Sequence, residues 1–246
     1  MSSPLAGKVA LVTGGSRGLG AATVRALAEA GAQVAFTYVA SAERAAALAD
    51  ETHTVAFQHD QADASLAPGL VKNVVDRLGG LDILVNNAAI GDGSGRTVDD
   101  PEADTAGLDR QHATNYFGPI ALIRAASRVM RDGGRIINIG SGIGTRTGAP
   151  GFADYAATKA GLTGYTKGAA RDLAPRGITV NMVQAGLMDT DFTPPNPELL
   201  PALLSSLAIQ RVSDPAETAT VITFLAGPGS SYITGAVLDV NGGYTA

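Results

Sequence analysis

Tyr155 and Lys159 stand four residues apart in Tyr155-Ala156-Ala157-Thr158-Lys159. On a helix that spacing puts both side chains on one face, a phenol beside an ammonium. A free phenol ionises at about pH 10 and is a poor acid or base at neutrality. A neighbouring cation favours the phenolate, and each unit of lowering corresponds to about 1.4 kcal/mol. The pair reads as a proton donor and acceptor at Tyr155, tuned by the positive charge of Lys159.

A second chemical feature lies near the start of the chain. Thr13-Gly14-Gly15-Ser16-Arg17-Gly18-Leu19-Gly20 follows a short apolar run and opens a small-residue helix. Glycines there allow a sharp turn and a close approach to a pyrophosphate, whose charge then faces the helix N-terminus. Gly14, Ser16, Arg17, Gly18, Leu19 and Gly20 are the candidate contacts. A carboxylate ending the second strand would bind a ribose 2′-hydroxyl and repel a 2′-phosphate. Here that strand ends in Tyr38-Val39-Ala40-Ser41, with no carboxylate before Glu43. The Arg17 guanidinium can pair with a phosphate, or it is simply a solvated surface charge. The turn reads as a dinucleotide seat with Tyr38 and Ser41 at the ribose end, and for a nicotinamide coenzyme these residues favour NADP(H) over NAD(H).

These residues need a scaffold, and the chain alternates short apolar runs with helical stretches. Strands are expected at Val9–Val12, Val34–Tyr38, Thr54–Gln58, Ile83–Val85, Arg135–Ile139, Thr179–Val183 and Ala236–Val240. Helices are expected at Ala21–Ala30, Ala42–Asp50 with Ser41 as N-cap, Ser65–Leu78, Leu108–Met130, Asp154–Ala174 and Ala216–Leu225. Such alternation implies right-handed βαβ units and a parallel sheet covered on both faces. The fold class expected is α/β, a doubly wound Rossmann-type sheet of about seven strands with ligands outside the carboxyl strand ends. Residues 1–246 read as one dinucleotide-binding and catalytic domain. Pro194, Pro195, Pro197 and Pro201 exclude a regular helix from their stretch, so 190–210 is expected to form a lid over the site.

Composition narrows the function classes. The net charge of −5 and the scattered basic residues exclude a dedicated nucleic-acid surface. No cysteine is present, so disulfides, thiolate nucleophiles and Cys–metal sites are excluded. His53, His59 and His112 lack metal-ligand spacing and read as surface or loop residues, so no metal is expected. Without a signal-like start or an apolar run of membrane-spanning length, the expectation is a cytoplasmic protein with no membrane partner.

The Gly-x3-Gly-x-Gly turn together with Tyr155-x3-Lys159 resembles the short-chain dehydrogenase/reductase family, in its single-domain, 3-oxoacyl-reductase-like branch. The resemblance covers essentially the whole chain. Asn86-Asn87-Ala88-Ala89 resembles the family's Asn-Asn-Ala-Gly, with Ala89 replacing glycine, and implies that Asn87 and Ala88 line the cofactor. Asp60 and Gln61 fall where the family holds adenine, though Asp60 also fits an ordinary helix-start carboxylate. Asn181-Met-Val-Gln-Ala-Gly-Leu-Met-Asp-Thr190 resembles the nicotinamide loop, with Ala185 replacing proline. It implies that Gly186, the backbone near Met188, and Thr190 hold the carboxamide.

The resemblance also fills the catalytic roles. Ser141 matches the substrate-orienting serine, one residue further from Tyr155 than the commonest family pattern. Asn115 matches the helix asparagine whose main-chain carbonyl holds a water leading to Lys159. Lys159 would also bind the ribose. The implied chemistry is reversible reduction of a ketone or 3-oxoacyl-type carbonyl, with Tyr155 protonating the oxygen. Ile90, Ile143, Phe152, Met188 and Phe192 would line a small-molecule substrate pocket, or each is core packing. The family also implies a homotetramer or homodimer. The alternative is a weakly catalytic nucleotide-binding sensor of the cyclic-di-GMP type, suggested by the Asp189-Thr190-Asp191 and Asn196-Pro197 elements.

Overall fold

The apolar run Val9–Val12 forms β1, and six more strands follow: β2 Gln33–Tyr38, β3 Val55–Gln58, β4 Ile83–Asn86, β5 Arg135–Ser141, β6 Thr179–Ala185 and β7 Val237–Val240. The computed structural model describes residues 3–91, 95–191 and 200–246. All strand pairings are parallel, in the order β3-β2-β1-β4-β5-β6-β7. The order reverses between β1 and β4, which opens a crevice at the carboxyl ends of those strands.

The connecting helices are α1 Gly18–Glu29, α2 Ala42–Thr52, α3 Ala67–Leu78, α4 Thr105–His112, α5 Gly118–Val129, α6 Ala153–Leu173, α7 Leu200–Ser205 and α8 Pro215–Ala226. Strand side chains alternate between two buried layers. Ala10, Val12, Val34 and Phe36 pack with Val24 and Leu27 of α1 and Ile222 and Leu225 of α8. Val9, Leu11 and Ala35 face Leu70 and Val74 of α3 and Leu122 of α5. With both faces covered, the strands read as continuous apolar runs rather than alternating ones. Each fully buried aliphatic side chain contributes about 1.5–3 kcal/mol, so the sheet is a rigid platform for the loops at its carboxyl edge.

Three local features depart from the sequence reading. The helix expected over Leu108–Met130 is interrupted by a π-helical turn, Ala113–Phe117, between α4 and α5. Pro119 explains it: a proline inside a helix lacks the N–H for the preceding turn and clashes with it. β6 runs on to Ala185, which pairs with Ser141 on one side and Val240 on the other. Ser41 sits at the N-cap position of α2 but makes no side-chain capping bond.

Of the three histidines, one departs from the expected surface position. His59 is buried, and its imidazole is pushed below its ordinary pKa by desolvation against the opposing pull of Asp60 and Asp63. His53 ends α2 in the left-handed region, at φ 54°. His112 pairs with Asp154 at 2.9 Å. Among the described residues no cluster of His, Asp or Glu could hold a metal ion. No described helix is long and apolar enough to cross a membrane.

Candidate active site

The glycine turn joins β1 to α1 and is closed from below by two polar side chains. Thr13 is fully buried, and its Oγ1 accepts from the N–H groups of Asn87 and Ala88, each at 3.0 Å. Asn87 Nδ2 donates to the carbonyls of Thr13 at 2.8 Å and Gly14 at 3.1 Å. Gly18 holds φ +51°, and a Cβ on Gly20 would lie 2.1 Å from the Gly14 oxygen. Glycine is required at both positions, the first for conformation and the second for close approach.

Residue Arg17 precedes α1 in extended backbone and makes no side-chain cap. The first N–H groups of the helix therefore have no capping side chain, as an incoming phosphate requires. Leu19 turns its side chain into the core, so its N–H is the group offered to a ligand. Tyr38 is partly buried at the end of β2. These features fit a dinucleotide pyrophosphate across the switch point.

The residues after β3 divide in role. Burial raises the Asp60 carboxyl, but Arg110 at 2.9 Å and the Ala62 N–H outweigh it, leaving the group below its ordinary pKa. Gln61 is buried, and its Nε2 donates to the carbonyls of Ala88 at 3.1 Å and Thr114 at 2.8 Å. The Gln61 side chain thus builds the floor of the crevice, and only its main chain is left to meet an adenine.

Ser141 ends β5, and Tyr155 and Lys159 lie in the first two turns of α6. The extended loop between them brings the Ser141 hydroxyl into a hydrogen bond with the Tyr155 phenol. Ser141 Oγ also accepts from the Ile143 N–H at 3.3 Å, which fixes its rotamer. Desolvation pushes the phenol up to about 12, and the Ser141 hydrogen bond opposes that shift. Lys159 is 3% exposed and donates from Nζ to the Ile139 carbonyl at 3.0 Å. Burial lowers its ammonium to about 8. Its Nζ lies 5.5 Å from the centre of the Tyr155 ring.

The two residues therefore share a face, as their spacing requires, but desolvation governs both. In the protein alone the phenol is held in its protonated, donating form.

Asn115 sits in the π-helical turn and is buried. Its Nδ2 donates to the Ile90 carbonyl at 2.7 Å, and its Oδ1 accepts from the Ile90 N–H at 2.9 Å. Asn86 and Asn138 continue the polar interior: Asn86 Nδ2 donates to Asn138 Oδ1, and Asn138 Nδ2 to Thr166 Oγ1 on α6. The Gly-rich and Tyr-x3-Lys signals did not reveal Thr13, Pro119 or this amide chain. Their only sequence trace is a polar residue inside an apolar strand or a proline inside a helical pattern.

The loop after β6 is anchored despite the missing proline. The Gly186 N–H donates to the Val240 carbonyl at 3.0 Å. Met188 bridges to Ser213, and the Asp189 N–H donates to the Ser213 carbonyl at 3.0 Å. The Thr190 methyl lies 3.1 Å from the point a Gly18 Cβ would occupy, which brings this loop against the glycine turn. Ile90, Ile143, Phe152 and Met188 are all partly buried. Phe192 lies outside the described residues, as do Pro194, Pro195 and Pro197.

Comparison with known proteins follows the same lines. Residues 14–245 match the family model described as enoyl-(acyl carrier protein) reductase. A "cyclic-di-GMP-binding biofilm dispersal mediator protein" of Escherichia coli strain K12 is 43% identical, covering 98% of each chain. A 3-oxoacyl-(acyl-carrier-protein) reductase of Vibrio cholerae is 42% identical over 97% of this chain and 98% of its own. A short-chain dehydrogenase of Burkholderia cenocepacia, solved in complex with NADP, superposes with a TM-score of 0.94 at 42% identity. That superposition covers 99% of this chain and 100% of the other.

Proposed function

The chain belongs to the short-chain dehydrogenase/reductase family, and we propose that it is an NADP(H)-dependent reductase of a ketone or 3-oxoacyl-type carbonyl, acting reversibly. The observation that carries this reading is the Ser141–Tyr155 hydrogen bond beside the buried Lys159 ammonium. The NADP-bound relative and the 3-oxoacyl reductase relative support the coenzyme and the substrate class. The whole chain acts as one catalytic domain, cytoplasmic and assembled as a homotetramer or homodimer.

When bound, NADPH supplies the hydride for the carbonyl carbon. The glycine turn takes the pyrophosphate, and Gly186, Met188 and Thr190 hold the carboxamide end. Ser141 donates to the substrate carbonyl oxygen and orients it toward the phenol. Tyr155 gives its proton to that oxygen as negative charge develops there. Lys159 binds the ribose with its remaining donors and stabilises the phenolate left behind. Asn115 fixes Ile90 through its side chain and offers its main-chain carbonyl to a water that returns the proton. Ile90, Ile143, Phe152 and Met188, all partly buried, border the substrate.

A panel of ketones, quinones and β-ketoacyl thioesters, followed at the NADPH absorbance, tests the substrate class. Turnover of at least one carbonyl group is expected. The second reading is a weakly catalytic regulator that binds cyclic-di-GMP, favoured by the name of the 43%-identical relative. Saturable cyclic-di-GMP binding with no turnover of any panel member would select it.

A further inference from the structure

The final residues, Asn241-Gly-Gly-Tyr-Thr-Ala246, continue past the carboxyl end of β7 and lie against the loop that follows Ser141. Asn241 is buried and shapes this tail. Its Oδ1 accepts from the N–H groups of Gly243 at 3.1 Å and Tyr244 at 3.2 Å, and its Nδ2 donates to Thr245 Oγ1 at 3.0 Å. Thr245 Oγ1 donates in turn to Asp239 Oδ2 at 3.0 Å. On its other side the tail takes the Ile209 N–H on the Gly242 carbonyl at 2.9 Å. The direction of Tyr244 is thereby fixed from within the tail.

Tyr244 grips the Ser141 loop at three points. Its ring lies so close to Gly142, the residue after Ser141, that a Cβ there would stand 2.8 Å from Cδ1. Its hydroxyl accepts from the Gly148 N–H at 3.1 Å. Its main-chain carbonyl accepts from Arg146 Nη1 at 2.8 Å, and the same guanidinium sits 5.5 Å from the ring centre. The loop between β5 and α6 holds Gly142, Gly144, Gly148 and Gly151, and glycines have the most backbone freedom to lose. Such a loop needs an anchor from outside. Gln184 Nε2 adds a tie from β6 to Thr145 Oγ1 at 2.8 Å, so loss of Tyr244 loosens the loop without releasing it.

We propose that Tyr244 is a positioning residue for the reaction: through Gly142 and Gly148 it holds the turn after β5 so that the Ser141 hydroxyl meets the Tyr155 phenol. This rests on the reading of Ser141 given above. Ser141 Oγ takes its orientation from the Ile143 N–H, inside the turn that Tyr244 presses, so drift of that turn carries the hydroxyl away. A weakened Ser141–Tyr155 bond lets the phenol rise further, and the effect reaches the acid/base itself. The contacts of Tyr244 lie at residues 142, 146 and 148, away from the glycine turn, so coenzyme binding is spared.

A double-mutant cycle tests the role, with kcat and KM for the best carbonyl substrate and the Kd of NADPH measured on the full chain. Tyr244→Phe removes the Gly148 bond alone and should lower kcat about threefold; Tyr244→Ala should lower it about tenfold, each with an unchanged NADPH Kd. In a Ser141→Ala background the same Tyr244→Ala change should lower kcat by less than about twofold, because it acts through a hydroxyl already gone. The alcohol-oxidation profile of Tyr244→Ala should move to higher pH. Tyr244→Phe, which keeps the ring on Gly142, carries the same cycle if the alanine variant does not fold. Wild-type kcat in both Tyr244 variants overturns the proposal, as does a loss that is undiminished in the Ser141→Ala background, the mark of general loosening. Wild-type kcat in Ser141→Ala itself refutes the reading of Ser141, and this proposal with it.

Discussion

Asn115 grips the main chain of Ile90 from both sides, donating from Nδ2 at 2.7 Å and accepting at Oδ1 at 2.9 Å. The side chain is thereby fully engaged in building the wall of the site, and any part Asn115 plays in proton relay falls to its main-chain carbonyl. Four residues on stands Pro119, which has no N–H to give that carbonyl its α-helical partner. The Thr114 carbonyl, displaced by the same π-helical turn, is taken by Gln61. Pro119 thus keeps the Asn115 carbonyl from its ordinary helical bond.

Pro119→Ala restores the missing donor at a position that tolerates a helix former. The variant should fold, close the turn toward regular α-helix, and lose about tenfold in kcat as the carbonyl is recaptured. Steady-state kinetics at saturating NADPH measure this. A kcat equal to wild type would show that the relay does not depend on that carbonyl.

Ser141→Ala removes a hydrogen bond that opposes desolvation of the Tyr155 phenol. It also removes a donor to the developing oxyanion. A fall of about 10²–10³ in kcat is expected, in the range measured for loss of one such donor. Because the phenol then rises further, phenolate formation in the alcohol-oxidising direction should shift to higher pH. An unshifted oxidation profile would argue that Ser141 and Tyr155 are not coupled.

Lys159 makes a stability prediction with a definite sign. Its ammonium falls from an ordinary 10.5 to about 8 on folding. Below pH 8 the folded protein carries a buried charge at a cost, while between the two values the unfolded chain binds the extra proton. Stability from this group therefore rises with pH across that window. Lys159→Met removes the cost but orphans the Ile139 carbonyl, for a net gain of about 1 kcal/mol at pH 7, or roughly 2–4 °C in Tm. The gain should shrink by pH 10, and activity should be lost throughout. A lower Tm at pH 7 than wild type would contradict the desolvation account.

Much of this site was legible because its chemistry is local. The glycine turn between a strand and a helix, and Tyr155 one helical turn from Lys159, are patterns within a few residues. The strand runs were legible because burial on both faces leaves them continuously apolar; β1 matches its expected span, and β6 extends two residues further than Thr179–Val183.

The rest depends on long-range pairing. Gln61 looked like a nucleotide contact, but its side chain reaches Ala88 and Thr114 across the sheet edge. His59 lies in the loop after β3, but the fold buries it. Pro119 carries a readable signal inside Leu108–Met130, a proline within a helical pattern, but the helical periodicity on either side of it masks the break. The Arg44–Asp191 contact joins residues 147 positions apart, beyond the reach of any local motif.

The central claim is that Tyr155 delivers the proton during carbonyl reduction, and Tyr155→Phe tests it most directly. The substitution removes one oxygen and leaves the ring beside Lys159. Turnover of the best carbonyl substrate should fall by about 10³ or more, while NADPH titration still shows binding close to wild type. Turnover that survives the loss of the phenol oxygen would contradict the account.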